Sequence, residues 1–279
     1  MTNAKPGMQT PSLPPDYHMH TPLCKHANGN PEAYRATAAI RKVEAMAFTD
    51  HGPDPSGYDL KHRMAITQYP SYLLMIRSLQ DGKLPDVLLG IEADYYPGAE
   101  PFLKDWMPHQ PFDVVLGSVH YIKEWGFDNP DTLYVWDSVD VKGVWRQYFS
   151  LLSSLVDLGL FDVLSHFDLP KKFGHQIPDK DLREMVCPLL DKVAKTGMAI
   201  EINTSGWRRK VAEAYPSPLI LSLMKEREIP ITFGSDAHTP EDVGYGFDRA
   251  VALAHEAGYT HSRRYRARQP FSAALPAPL

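Results

Sequence analysis

The stretch "DYHMHTPLCKH" places His18, His20 and His26 within nine positions of a 279-residue chain. An extended backbone sends alternate side chains to opposite faces, so "HMH" turns both imidazoles one way and Met19 the other. Near the far end, "SDAH" does the same for Asp236 and His238. Imidazole nitrogens and carboxylate oxygens suit zinc, manganese or iron, whereas a purely structural zinc site would draw on thiolates. Cys24 and Cys187 are the only cysteines and form no CxxC pair, so they read as reduced thiols. Further polar candidates end apolar runs: Asp50 and His51 in "AFTDHG", Glu92 in "GIEADY", His120 in "GSVHYI", His166 in "SHFD" and Asn203 in "EINTS". A single histidine on an apolar strand is more often a packed core residue than a ligand. The recurrence of such donors at equivalent places argues for a metal centre.

The elements that must position these residues alternate. Apolar runs of strand character span 16–20, 45–51, 86–96, 113–121, 161–168, 197–205 and 229–238. Segments with helical spacing lie between them at 31–44, 69–81, 144–158, 179–195, 217–227 and 247–257. Repeated β-then-α units predict an α/β fold whose parallel sheet is joined by right-handed crossovers. In a barrel, all the strand ends converge on one mouth; an open sheet would spread them across its width. The polar residues therefore favour a TIM-like barrel of seven strands.

The formal charge of −5 disfavours general affinity for nucleic acid and is easier to reconcile with a small anionic substrate. No apolar run reaches the roughly 18 residues of a membrane span, so no membrane partner is expected. The N-terminal "MTNAKPGMQTPSLPP" lacks the apolar core of a secretory signal, and a cytoplasmic location is expected. Residues 1–15 read as a disordered or extended tail and 271–279 as a second tail. The basic stretch "YTHSRRYRARQPF" either adds an edge strand or stays loose.

In this order, "HMHT…KH", "FTDHG", "GIEADY", "GSVHYI", "SHFD" and "GSDAH" resemble the polymerase and histidinol phosphatase (PHP) superfamily. The resemblance implies a distorted (β/α)7 barrel over residues 16–270, acting as a single metal-dependent phosphoesterase domain with three divalent ions, zinc, iron or manganese. It implies that His18, His20 and Asp236 hold one ion and that Glu92 bridges it to a second, completed by His120 and His166. His26, His51 and His238 would hold the third. The loop "WGFDNP" is similar to that of PHP-type phosphatases acting on L-histidinol phosphate, which implies its hydrolysis to L-histidinol and phosphate in histidine biosynthesis.

Metal ions can lower the pKa of a shared water, so that hydroxide attacks phosphorus, and can neutralise the charge that builds up there. Glu92, Asp236, His238 and Arg208 are thus the expected catalytic residues. Arg208, after the sixth strand, and Lys171 in "HFDLPKK" are candidates to hold the phosphate, with Arg209, Lys172 and Lys210 as their nearest competitors. Asp50 is expected to orient an imidazole. In the loop after His120, Glu124 or Asp128 would meet the substrate ammonium, and Trp125 or Phe127 would stack on its ring. His62, His109, His175, His255 and His261 read as surface or helix residues. The alternatives are a PHP-type nuclease or nucleotide phosphatase, and a barrel that binds metal without catalysis.

Overall fold

A computed structural model describes residues 13–278. The first twelve residues of the expected N-terminal tail lie outside the described residues. Leu13 already bridges Val43 in parallel, and Pro14 and Pro15 are buried.

Chain order gives β1 (Ala45–Phe48), β2 (Asp86–Asp94), β3 (Val114–Ser118), β4 (Tyr121–Ile122), β5 (Trp125–Gly126), β6 (Val163–Leu164), β7 (Ala199–Asn203), β8 (Ile231–Gly234), β9 (His261–Arg266) and β10 (Gln269–Ala274). The helices are α1 (Pro31–Ile40), α2 (Tyr69–Leu79), α3 (Glu100–Trp106), α4 (Val141–Leu158), α5 (Asp179–Val193), α6 (Pro218–Glu226) and α7 (Phe247–Glu256). Strands β1, β2, β3, β6, β7 and β8 form one parallel sheet in that order. Every residue of β3 and β7 is buried, as expected when both faces of a parallel sheet are covered. Helix starts follow their sequence signals. Asn30 accepts the Ala33 amide at 2.9 Å ahead of Pro31, and Ser217 caps α6 ahead of Pro218. Gly159, at φ 65°, ends α4 in the left-handed conformation that glycine adopts without strain. Among the described residues, no helix is long and apolar enough to cross a membrane.

Two expectations need correction. Residues 16–20 are not a regular strand but touch their neighbours through isolated bridges, Asp16 to Met46 and Met19 to Ala237. The cause is the Asp16 carboxylate, which accepts the amides of His18 (3.2 Å), Ser235 (2.9 Å) and Gly244 (2.8 Å) and so diverts N–H groups from a ladder. The C-terminal residues 271–274 are not a tail, because they complete the antiparallel hairpin β9–β10.

That hairpin seals the end of the sheet opposite the polar residues. Ala47, Leu88, Val114, Leu116, Val163 and Ala199 form an inner apolar cluster with Tyr17 and Tyr265. The Tyr265 amide binds the Tyr17 hydroxyl at 3.0 Å, and its own hydroxyl reaches the Asp162 carbonyl at 2.9 Å. Arginines of the basic stretch meet carboxylates at strand starts: Arg264 with Glu44 (2.8 Å), Arg268 with Asp162 (3.0 Å) and Arg266 with Asp86. Alternation then carries each strand from this apolar layer to polar residues further along, as Leu88 leads to Glu92, Leu116 to Ser118, and Ala199 to Glu201 and Asn203.

Truncating Tyr265 to Ala removes the ring from this cluster and is expected to cost about 3 to 5 kcal/mol of unfolding free energy in urea denaturation. The metal content of the folded variant should stay at the wild-type level, because the hairpin lies at the far end of the sheet.

Candidate metal centre

Glu92, two residues before the end of β2, is the hub of the site. Its Oε1 lies 3.0 Å from His166 Nε2 and 3.6 Å from His120 Nε2. Its Oε2 lies 3.0 Å from His51 Nδ1, 3.4 Å from His18 Nε2 and 3.7 Å from His20 Nε2. Five imidazoles thus face one buried carboxylate, three on one oxygen and two on the other. Asp236 Oδ1 stands 3.3 Å from His20 Nε2 and 3.8 Å from His18 Nε2, while His238 Nε2 and His26 Nε2 are 2.9 Å apart. The donor atoms gather into the sets His18, His20 and Asp236; His26, His51 and His238; and His18, Glu92 and His166, each within 4.8 Å. His120 Nε2 joins the last set at 3.2 Å from His166 Nε2. All nine expected donors are therefore brought together.

The backbone bends to achieve this. His166 and Asp236 follow β6 and β8 at positive φ, 21° and 52°, values unusual for residues other than glycine. Such strain costs on the order of 1 to 3 kcal/mol per residue and concentrates at functional sites.

Buried partners fix the rings from behind. Glu201 Oε1 takes His18 Nδ1 at 2.8 Å, while its Oε2 accepts the His166 amide (3.0 Å) and the Asn203 side chain (2.9 Å). Asp94 Oδ1 holds His120 Nδ1 at 2.7 Å and is itself held by Arg63 at 2.6 Å. Asp50 stands 3.6 Å from His20 Nδ1 and also accepts the Thr21 hydroxyl and the His51 amide. Glu201, Asp94 and Arg63 were not among the expected site residues. A charge in the middle of an apolar strand was the signal for Glu201, and the i, i+2 relation to Glu92 was the signal for Asp94. Gly234 makes room for this shell, since a Cβ there would collide with the Glu201 carboxylate and the His18 Cβ.

The electrostatics suit cations. Burial alone would raise the Glu92 and Asp236 carboxyls, but the surrounding histidines outweigh it and hold both well below the usual range. Burial alone would lower His20 and His120. Asp236 and Asp50 instead bring the first up to about 9, and Asp94 and Glu92 bring the second to about 10. His26 is pushed down to about 4 by burial and by the neighbouring His51 and His20. His18 Nε2, both His20 nitrogens, His51 Nδ1 and Glu92 Oε2 are buried without a hydrogen-bond partner. Leaving so many polar atoms unpaired is costly. Nitrogen and oxygen lone pairs grouped in this way fit divalent metal ions. Binding at neutral pH displaces protons from His20 and His120, so apparent affinity rises with pH.

Above the cluster opens a cavity of about 550 Å³. Lys172, Arg209 and Asp128 line it, and Lys172 pairs with Asp128 at 3.0 Å. Of the expected substrate contacts only Asp128 reaches this lining. Lys171 turns away into a buried pairing with Asp168 (2.9 Å) and Glu213 (2.6 Å). Arg208 braces the site from behind, donating to the carbonyls of Ser235 (2.8 Å) and Asp236 (3.3 Å). Phe127 is core, edge-on to Tyr148, and Trp125 packs on Trp136. Glu124 is exposed and lies outside the lining. His62, read from sequence as a surface residue, lines the cavity, with Nδ1 on Asp59 at 2.7 Å.

A parallel α/β sheet with a histidine and carboxylate cluster at its C-terminal strand ends defines a metal-dependent enzyme class. The PHP domain model matches residues 16–205, a PHP-associated model matches 219–258, and the chain belongs to the PHP domain family. A Deinococcus radiodurans protein named "Probable histidinol-phosphatase" is 44% identical over 91% of this chain and 98% of its own length. The Bacillus subtilis histidinol-phosphatase is 30% identical over 84% of this chain and 96% of its own. The Lactococcus lactis histidinol phosphate phosphatase, solved with zinc, L-histidinol and phosphate, shares the fold with a TM-score of 0.78 at 20% identity. That match covers 93% of this chain and 99% of the other.

Glu201→Gln removes the charge behind His18 while keeping the shape. Metal affinity, measured by competition with a chelating dye, should fall roughly 10- to 100-fold, the range found when such supporting partners of ligands are lost. Unchanged affinity would show that Glu201 does not tune His18.

Proposed function

We propose that this chain hydrolyses L-histidinol phosphate to L-histidinol and inorganic phosphate. The observation that carries the reading is the Glu92-centred cluster of nine donors beneath a cavity walled by both cations and carboxylates. The substrate is suggested by the names of the relatives at 44% and 30% identity.

We assign three ions to the site. His18, His20, Asp236 and Glu92 would hold one; Glu92, His120 and His166 a second; His26, His51 and His238 a third. Bound there, divalent ions supply a water of lowered pKa and offset the charge on a phosphoryl group. The chain's own residues do the rest. Lys172 and Arg209 present fixed positive charge to the phosphate. Asp128 and Asp59 offer carboxylates to the ammonium end of the substrate. Arg208, through the carbonyls of Ser235 and Asp236, fixes the turn that aims the Asp236 carboxylate.

The same reading includes a closed barrel. Segment 16–20 would act as the seventh stave, because Ala47 and Thr49 donate to it from one side (2.8 and 2.9 Å). On the other side it donates through Tyr17 and His20 to Phe233 and Ala237 (both 2.9 Å). Residues 16–270 then work as one domain. A cytoplasmic location accords with the unpaired Cys24 and Cys187.

The test is phosphate release from L-histidinol phosphate beside AMP and an aryl phosphate. The expected preference in kcat/KM is about a hundredfold, some 2.7 kcal/mol of transition-state discrimination. Chelation should abolish turnover and added zinc or manganese should restore it. Comparable slow turnover of all three esters would discard this substrate.

A further inference from the structure

Tyr215 holds a buried hydroxyl with no hydrogen-bond partner among the described residues, yet the residue lines the cavity over the metal centre. An unpaired buried hydroxyl costs about 1 to 3 kcal/mol that a phenylalanine would avoid. Packing does not require the oxygen, because the ring is anchored in other ways. The Tyr215 backbone exchanges two hydrogen bonds with Asn203 at the end of β7, at 2.9 and 2.6 Å. The Lys171 ammonium lies 5.4 Å from the ring centre, held in its own pairing with Asp168 and Glu213. Gly206 backs the ring so closely that a Cβ there would stand 3.0 Å from Cε2 and 3.1 Å from Cζ. The His166 ring stands roughly perpendicular to it, 6.5 Å away. The ring is therefore held in place on the wall that also carries Arg209 and Ser205, the latter bonded to Asp236 Oδ2 at 3.1 Å.

We propose that the Tyr215 hydroxyl donates a hydrogen bond to a non-bridging oxygen of the phosphate group bound in this cavity, alongside Arg209. The assignment rests on the phosphatase reading above. It explains why an oxygen that weakens the empty protein is present: its partner arrives with the ligand, and a donor already held in place gives up little freedom on binding.

The experiment compares wild type with Tyr215→Phe in the metal-loaded full chain. It measures kcat/KM for L-histidinol phosphate, inhibition by inorganic phosphate, melting temperature and metal content. The expected result is a loss of about tenfold or more in kcat/KM, a parallel weakening of phosphate inhibition, unchanged metal content, and a melting temperature equal to or above wild type. Unchanged kcat/KM and phosphate inhibition would overturn the assignment. So would a lowered melting temperature, which would mean that the hydroxyl serves the fold. Wild type that neither turns over the ester nor is inhibited by phosphate would instead overturn the functional reading itself, before any variant is compared.

Discussion

The structure depends on one buried carboxylate shared among five imidazoles. Glu92 lies where water is excluded, and a carboxylate there is tolerated only when positive charge surrounds it. Each oxygen faces its own group of rings, and the Ser118 hydroxyl also donates to Oε1. The positive charge favoured on His18, His20 and His120 meets part of this need, and divalent ions held by the same donors would meet the rest. The strand ends, the turns at His166 and Asp236, and the carboxylates of Glu201 and Asp94 all serve to keep the rings aimed at that point.

Stability and chemistry occupy opposite ends of the same strands. At one end, arginines of the β9–β10 hairpin meet carboxylates at strand starts, and Tyr265 closes an apolar layer. At the other, the strands carry polar side chains that would destabilise an ordinary core. The apolar end and the helices must therefore offset the strain and the unpaired donors concentrated at the site.

Much of this was legible in the sequence because its signals were local. The alternation in "HMH" places His18 and His20 inward and Met19 in the outer core, as the structure has it. All six strands of the sheet and all six expected helices fall within the runs read from periodicity, to within a few residues, although β6 is only a two-residue remnant of its run. What escaped depended on tertiary placement. Lys171 and Lys172 are neighbours in a 3-10 turn, and its three-residue pitch sends the first into a buried pairing and the second to the cavity. Phe127 and Trp125 lie in a loop expected to stack on the substrate, but Trp136 donates to the Phe127 carbonyl at 2.8 Å and folds that loop onto the core. The departure of 16–20 from a regular strand follows from the hydrogen bonds of one side chain, Asp16, to residues more than 200 positions away.

The most direct test of the shared carboxylate is anomalous diffraction from crystals of the metal-loaded protein, collected at the absorption edges of zinc, iron and manganese. The account predicts peaks on both sides of Glu92, each oxygen about 2.0 to 2.2 Å from its own ion. A third peak should lie among His26, His51 and His238. Glu92 hydrogen-bonded directly to the imidazoles, with no anomalous density beside it, would contradict the account.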